Sequence, residues 1–88
     1  MEAQTYTLNE NISWRELGGS IIVVDTESGN YYTMNHTASL IFQWMSQGMT
    51  IDDMTKKLSD TFELESYETL QADITEQINE WLKNKIIY

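Results

Sequence analysis

The sequence predicts an α+β domain, a three-stranded antiparallel sheet followed by three helices in a winged helix-turn-helix-like layout. Two observations lead there. Strand-forming runs punctuated by glycine turns fill the first third of the 88 residues, and apolar positions at helical spacing fill the remainder. No proline, repeat or low-complexity tract interrupts the chain, so residues 1–88 read as one domain, with 1–19 its least regular part.

Ser13–Leu17 reads as a short strand closed by the Gly18-Gly19 turn. Ile21, Ile22, Val23 and Val24 form a continuous β-branched run, the pattern of a strand buried on both faces. Asp25 to Asn30 is turn chemistry, and Tyr31–Met34 is the returning strand of a hairpin. Thr5–Leu8 is expected to add an outer strand.

Asn35 then reads as a helix N-cap, because its side chain can accept from an orphan backbone N–H one turn on. Ala38, Ile41, Phe42 and Met45 follow on one helical face, and Gly48 stops the helix. Thr50 starts a second helix with Asp52 and Asp53 in its first turn, where negative charge suits the dipole. Its stripe is Ile51, Met54, Leu58 and Phe62, and Glu63–Glu65 is the connector that follows. Ser66 caps a long third helix striped by Tyr67, Leu70, Ile74, Ile78, Trp81 and Leu82. Asn84-Lys85 ends it, and Ile86-Ile87-Tyr88 is expected to tuck back onto the body.

Composition narrows the function. Fourteen acidic residues oppose five basic ones, a net charge of −9. A duplex binder draws its affinity from Lys and Arg neutralising phosphates, so nucleic acid and anionic membrane are poor partners. A basic peptide suits this charge better, although the same charge also serves simple solubility. There is no cysteine, hence no disulfide or thiolate ligand, as befits a reducing cytosol. The N-terminus lacks the basic start and apolar run of a secretory signal, so a cytoplasmic location is expected.

Chemistry-bearing constellations are scarce. His36 is the only histidine; it has no second metal ligand of its kind and no triad logic around it, and reads as an exposed helix residue. The Asp25–Asn30 stretch is too short for a calcium loop, and Gly18-Gly19 lacks the Gly-Lys-Ser/Thr of a phosphate cradle. Trp44 and Trp81 read as core, with Trp14 open to either role. No enzyme activity, metal or cofactor is expected.

A small sheet has edges whose unpaired N–H and C=O groups can bind an extended peptide by strand addition. The Tyr31–Met34 strand is the candidate edge, although full pairing with packed aromatics fits the sequence equally. The third helix is the candidate wall of a groove.

The order of residues carries a resemblance. Ile22-Val23-Val24-Asp25 through Gly29-Asn30-Tyr31-Tyr32-Thr33-Met34-Asn35-His36-Thr37-Ala38 resembles a "leucine–aspartate, glycine, aromatic pair, leucine–asparagine–x–threonine–alanine" run. Gly48-Met49-Thr50-Ile51-Asp52-Asp53 resembles a "glycine–x–threonine–x–acidic–acidic" helix start. Asp73-Ile74, Ile78, Leu82 and Ile86-Ile87 are similar to the third helix and tail that follow. The pattern is that of PqqD-like proteins, the precursor-peptide recognition elements of ribosomally made, post-translationally modified peptides, and it spans about Ser20 to Tyr88. Three departures stand out: Met34 for leucine, His36 for an acidic residue, and Asn84-Lys85-Ile86 where a glycine is usual.

The resemblance implies a protein without catalysis of its own. It binds a precursor's leader peptide as an added strand and presents it to a maturation enzyme, with a lasso-peptide leader peptidase favoured over a cyclase. By resemblance the site is Asn30, Tyr31, Tyr32, Thr33 and Met34 on the strand, with Leu70, Asp73, Ile74 and Gln77 on a wall running from Leu70 to Trp81. The charge adds the expectation that the leader carries lysine or arginine near the groove. Three alternatives stay open: a pyrroloquinoline quinone-type peptide chaperone for a radical-SAM enzyme, a winged-helix DNA-binding regulator, and a generic adaptor. The regulator needs a basic third helix, but Lys83 stands there against Glu68, Asp73, Glu76 and Glu80.

Overall fold

The computed structural model describes residues 5–61 and 66–88. The positions expected for Phe62 in the second helical stripe and for the 63–65 connector lie outside the described residues. In chain order the elements are β1 (Ile12–Leu17), β2 (Ser20–Asp25), β3 (Tyr31–Met34), α1 (His36–Ser46), α2 (Ile51–Thr61) and α3 (Tyr67–Lys83). The sheet order is β1-β2-β3, antiparallel throughout. This is the α+β arrangement read from the sequence.

The two hairpins arise from local chemistry. Gly18 and Gly19 both have positive φ, 60° and 85°, as a two-residue hairpin turn matched to strand twist requires. Leu17 and Ser20 are therefore register partners. At the second turn the Asp25 carboxylate accepts from the N–H groups of Glu27 and Ser28 at 2.9 and 3.2 Å, and from the Asn11 side-chain amide at 2.8 Å. The Asn11 bond is the main reason the Asp25 carboxyl is held below its ordinary pKa; partial burial opposes it and the two backbone bonds add to it.

The register sets the faces. Trp14, Val23 and Tyr32 form one cross-strand row on the helix side, and Glu16, Ile21 and Met34 form the next. Ile21 and Val23 are fully buried, whereas Ile22 and Val24 are only half-buried. The β-branched run is thus covered on one face, not on both as its composition suggested, because all three helices follow the sheet and none crosses to the far side.

Each helix start has the cap its sequence announced. Asn35 accepts from the Ala38 N–H at 2.8 Å and Ser66 from the Thr69 N–H at 3.1 Å. Thr50 and Asp53 form a reciprocal capping box, side chain to backbone in both directions. The expected α1 stripe is buried in full, joined by Ser39 and Trp44. On α2, Met54 and Leu58 are buried and Ile51 is half-buried. On α3, Leu70, Ile74, Ile78 and Trp81 are buried, but Tyr67 is exposed and Leu82 half-buried, which narrows the expected stripe. Phe42 sits between two edge-on partners, Trp14 at 5.5 Å and Trp81 at 5.4 Å. Trp14, open to either role in sequence, does both: it packs on the core and remains 39% exposed at the sheet rim.

The tail does fold back, with Ile86 and Ile87 buried. Thr5–Leu8 does not extend the sheet. It runs beside the tail instead, where Leu8 pairs with Ile87 and Thr7 exchanges two 2.9 Å backbone bonds with Tyr88.

Candidate peptide-binding groove

Both outer strands are edges, but they differ. β1 carries Arg15 and Glu16 mid-strand, charges that discourage pairing with another chain. β3 has the N-terminal end of α1 at one end and α3 along its flank. The Asp25 N–H donates to the Asn30 C=O at 2.8 Å, which fixes the alternation of the β2–β3 ladder. It follows that Tyr32 bonds inward to Val23 while Tyr31 and Thr33 turn their N–H and C=O groups to the open edge.

Between that edge and α3 lies a hollow of about 240 Å³. Residues 32–35 form its strand side, Gln77, Glu80 and Trp81 its helix side, and Asn84 and Ile86 close one end. Along the rim of α3 a shallower hollow is bordered by Asp73, Glu76, Gln77 and Glu80. The side-chain hydrogen bonds of this helix and its caps join Ser66 to Thr69, Gln71 to Asp52, Thr75 to the Gln71 carbonyl and Asn84 to the Glu80 carbonyl. They leave the carboxylates of Asp73, Glu76 and Glu80 without a hydrogen-bond partner among the described residues.

The structure brings together most, not all, of the residues expected at a site. Tyr32, Thr33, Met34 and Gln77 line the hollow, and Asp73 borders its rim. Tyr31 is 71% exposed and lies on the far face of the sheet. Asn30 spends its carbonyl on closing the hairpin. Leu70 and Ile74 are 5% and 0% exposed; they belong to the core and not to the groove surface. Both precede Gln77 on α3 and pack inward, whereas Trp81, on the same apolar face near the C-terminal end of the helix, packs on Phe42 and also borders the hollow. Glu80 and Trp81 fall within the expected Leu70–Trp81 wall, whereas Asn35, Ala38, Asn84 and Ile86 lie outside the expected site. Glu80, Trp81 and Asn84 follow Gln77 at i+3, i+4 and i+7, so their signal was present in the spacing.

The Coenzyme PQQ synthesis protein D (PqqD) family matches residues 20–87. The chain belongs to the PqqD family. Two solved structures share the fold of this PqqD-family chain. "Lasso peptide synthetase B1 complexed with the leader peptide" superposes with a TM-score of 0.90 at 24% identity, covering 97% of this chain and 99% of that one. "TbiB1 in complex with the TbiA(beta) leader peptide" superposes with a TM-score of 0.86 at 9% identity, covering 92% and 93%. No curated protein sequence matches the chain. Among the described residues no helix is long and apolar enough to cross a membrane.

Proposed function

We propose that this PqqD-family chain is a non-catalytic, cytoplasmic leader-peptide-binding protein that captures a ribosomally made precursor by strand addition. The observation that carries the reading is the open β3 edge beside a hollow walled by α3. The leader pairs with the outward N–H and C=O groups of Tyr31 and Thr33, and these bonds supply sequence-independent affinity. Alternate leader side chains then enter the hollow over Tyr32 and Met34, against Gln77 and Trp81. The two similar structures hold leader peptides, which supports the same class of ligand here. Asp73, Glu76 and Glu80 favour a leader with lysine or arginine facing the rim.

Capture raises the local concentration of the precursor for a maturation enzyme, and needs no chemistry from this chain. The likeness to a lasso peptide synthetase B1 favours a lasso-peptide leader peptidase as that enzyme. The family's description favours a second reading, in which the partner is a radical-SAM enzyme of a pyrroloquinoline quinone-type pathway.

The test is an amide NMR titration with synthetic leaders of the precursors encoded beside the gene. Saturable binding, with the largest shifts in residues 30–34 and 73–84, is the expected result. A leader that binds with its shifts on β1 instead would move the site. Absence of binding by every neighbouring leader, with the partner enzyme present or absent, would overturn the reading.

A further inference from the structure

Three residues near the N-terminus, Thr7 to Asn9, form a strap along the C-terminal tail. Thr7 and Tyr88 exchange their backbone bonds, Leu8 pairs with Ile87, and the Asn9 N–H donates to the Ile86 carbonyl at 3.0 Å. The Asn9 side-chain amide donates to the carbonyl of Lys85. These bonds are not what ends α3. The helix terminates through its own backbone, with the Lys85 N–H on the Leu82 carbonyl at 3.1 Å and the Ile86 N–H on the Trp81 carbonyl at 2.9 Å. The strap engages the carbonyls on the other side of the same two residues.

Those two residues bear on the groove. Lys85 has φ 59°, the left-handed region that a residue with a Cβ occupies only when its surroundings hold it there. Ile86, 1% exposed, lines the hollow next to Asn84 and beside Met34 and Asn35. The helix end and Asn9 therefore grip Lys85 from opposite sides, and the position of Ile86 follows. Asn9 is also outside the stretch that the family matches, residues 20–87.

We propose that Thr7–Asn9 is a positioning strap for the peptide groove, and that Asn9, by fixing Lys85 and Ile86, shapes the end that receives one terminus of a bound leader. The proposal rests on the leader-binding reading above. Asn9 touches no ligand in this scheme; it acts through the tail.

The experiment compares the full-length protein with its Asn9→Ala and Asn9→Asp variants. Each is titrated with the complete leader and with leaders shortened stepwise from either end, and each is checked for folding by its amide spectrum. Loss of the side-chain bond is expected to weaken the complete leader about two- to tenfold, the usual worth of one hydrogen bond. The loss is expected to vanish once the leader residues over Met34, Asn35 and Ile86 are removed. A purely structural role would weaken all leaders alike, whatever their length, and that result overturns the proposal. So does unchanged affinity for the complete leader in both variants, provided the wild type binds. Failure of the wild type to bind any leader removes the leader-binding reading itself and the strap's role with it.

Discussion

The backbone N–H of Ile21 donates to the hydroxyl of Ser39 at 2.9 Å, and that hydroxyl in turn donates to the carbonyl of Met34 at 3.4 Å. Ile21 and Met34 are register partners across β2 and β3, so a side chain from α1 is inserted at the end of their ladder. Ser39 is 2% exposed, and no water can replace it without opening the joint between sheet and helix. Ser39→Ala leaves a buried N–H without its acceptor. The expected cost is about 1–3 kcal/mol, read as a lower denaturant midpoint with an unchanged slope. A loss below a few tenths of a kcal/mol would mean that Ile21 and Met34 close the ladder directly.

Two helices of this protein end in the same backbone motif with different residues at its left-handed position. After α1, Gly48 has φ 90°, its N–H bonds to Met45, and the Met49 N–H bonds to Trp44. After α3, Lys85 occupies the equivalent place. A Cβ there costs about 1–2 kcal/mol, and glycine returns part of that gain through the freedom it adds to the unfolded chain. Lys85→Gly is expected to stabilise the protein by about 0.5–1 kcal/mol, a rise in Tm of several degrees for a domain of this size. The reverse change, Gly48→Lys, is expected to destabilise it. Thermal unfolding of both variants tests the pair.

Asp25 links stability to pH. Its carboxyl is held below the ordinary range, chiefly by the Asn11 amide. In the window between the folded and the unfolded value the unfolded chain binds the proton more readily, so acid favours unfolding there. The contribution of Asp25 is therefore complete above the usual aspartate pKa, about 4, and is lost as the pH falls through the lower folded value. The stability difference between wild type and Asp25→Asn is expected to be constant from pH 7 to 5 and to shrink below roughly pH 4. Comparing the two proteins cancels the other carboxylates. A difference that stays flat to pH 3 would deny the link.

The acidic rim of α3 makes a claim about specificity. Asp73 and Glu80 are exposed and border the groove without hydrogen-bond partners among the described residues. Neutralising both, as Asp73→Asn with Glu80→Gln, is expected to weaken a basic leader by roughly two- to fivefold per charge, the scale of exposed ion pairs. The salt dependence of binding should shrink in parallel. Stability should hardly change, because neither carboxylate supports the core. Equal affinity for neutral and basic leaders would show that the rim serves solubility alone.

Much of this fold is legible because its signals are local. Asn35, Thr50 and Ser66 announce their helices through side chains that reach one turn, and paired glycines announce the first hairpin. The candidate groove is legible as to its strand and, on the helix, as to Asp73 and Gln77. Leu70 and Ile74 carry the same apolar spacing whether they face a core or a ligand, and nothing in their neighbours in sequence separates the two. Ser39 is invisible for a similar reason: a serine inside an apolar stripe announces no partner until β2 lies against it.

Residue order alone settles, to within one position, where the three strands and three helices begin, which face of each helix is apolar, the acidic charge, and the family pattern from about Ser20 onward. Tertiary structure alone decided that Ile22 and Val24 stay half-open, that β3 and not β1 borders a hollow walled by α3, and that Thr5–Leu8 leaves the sheet for the tail. The division follows from range. Caps, turns and periodicity are settled within a turn or two of the chain, whereas the Asn9–Lys85 contact joins residues 76 positions apart and exists only once both ends have found the same side of α3.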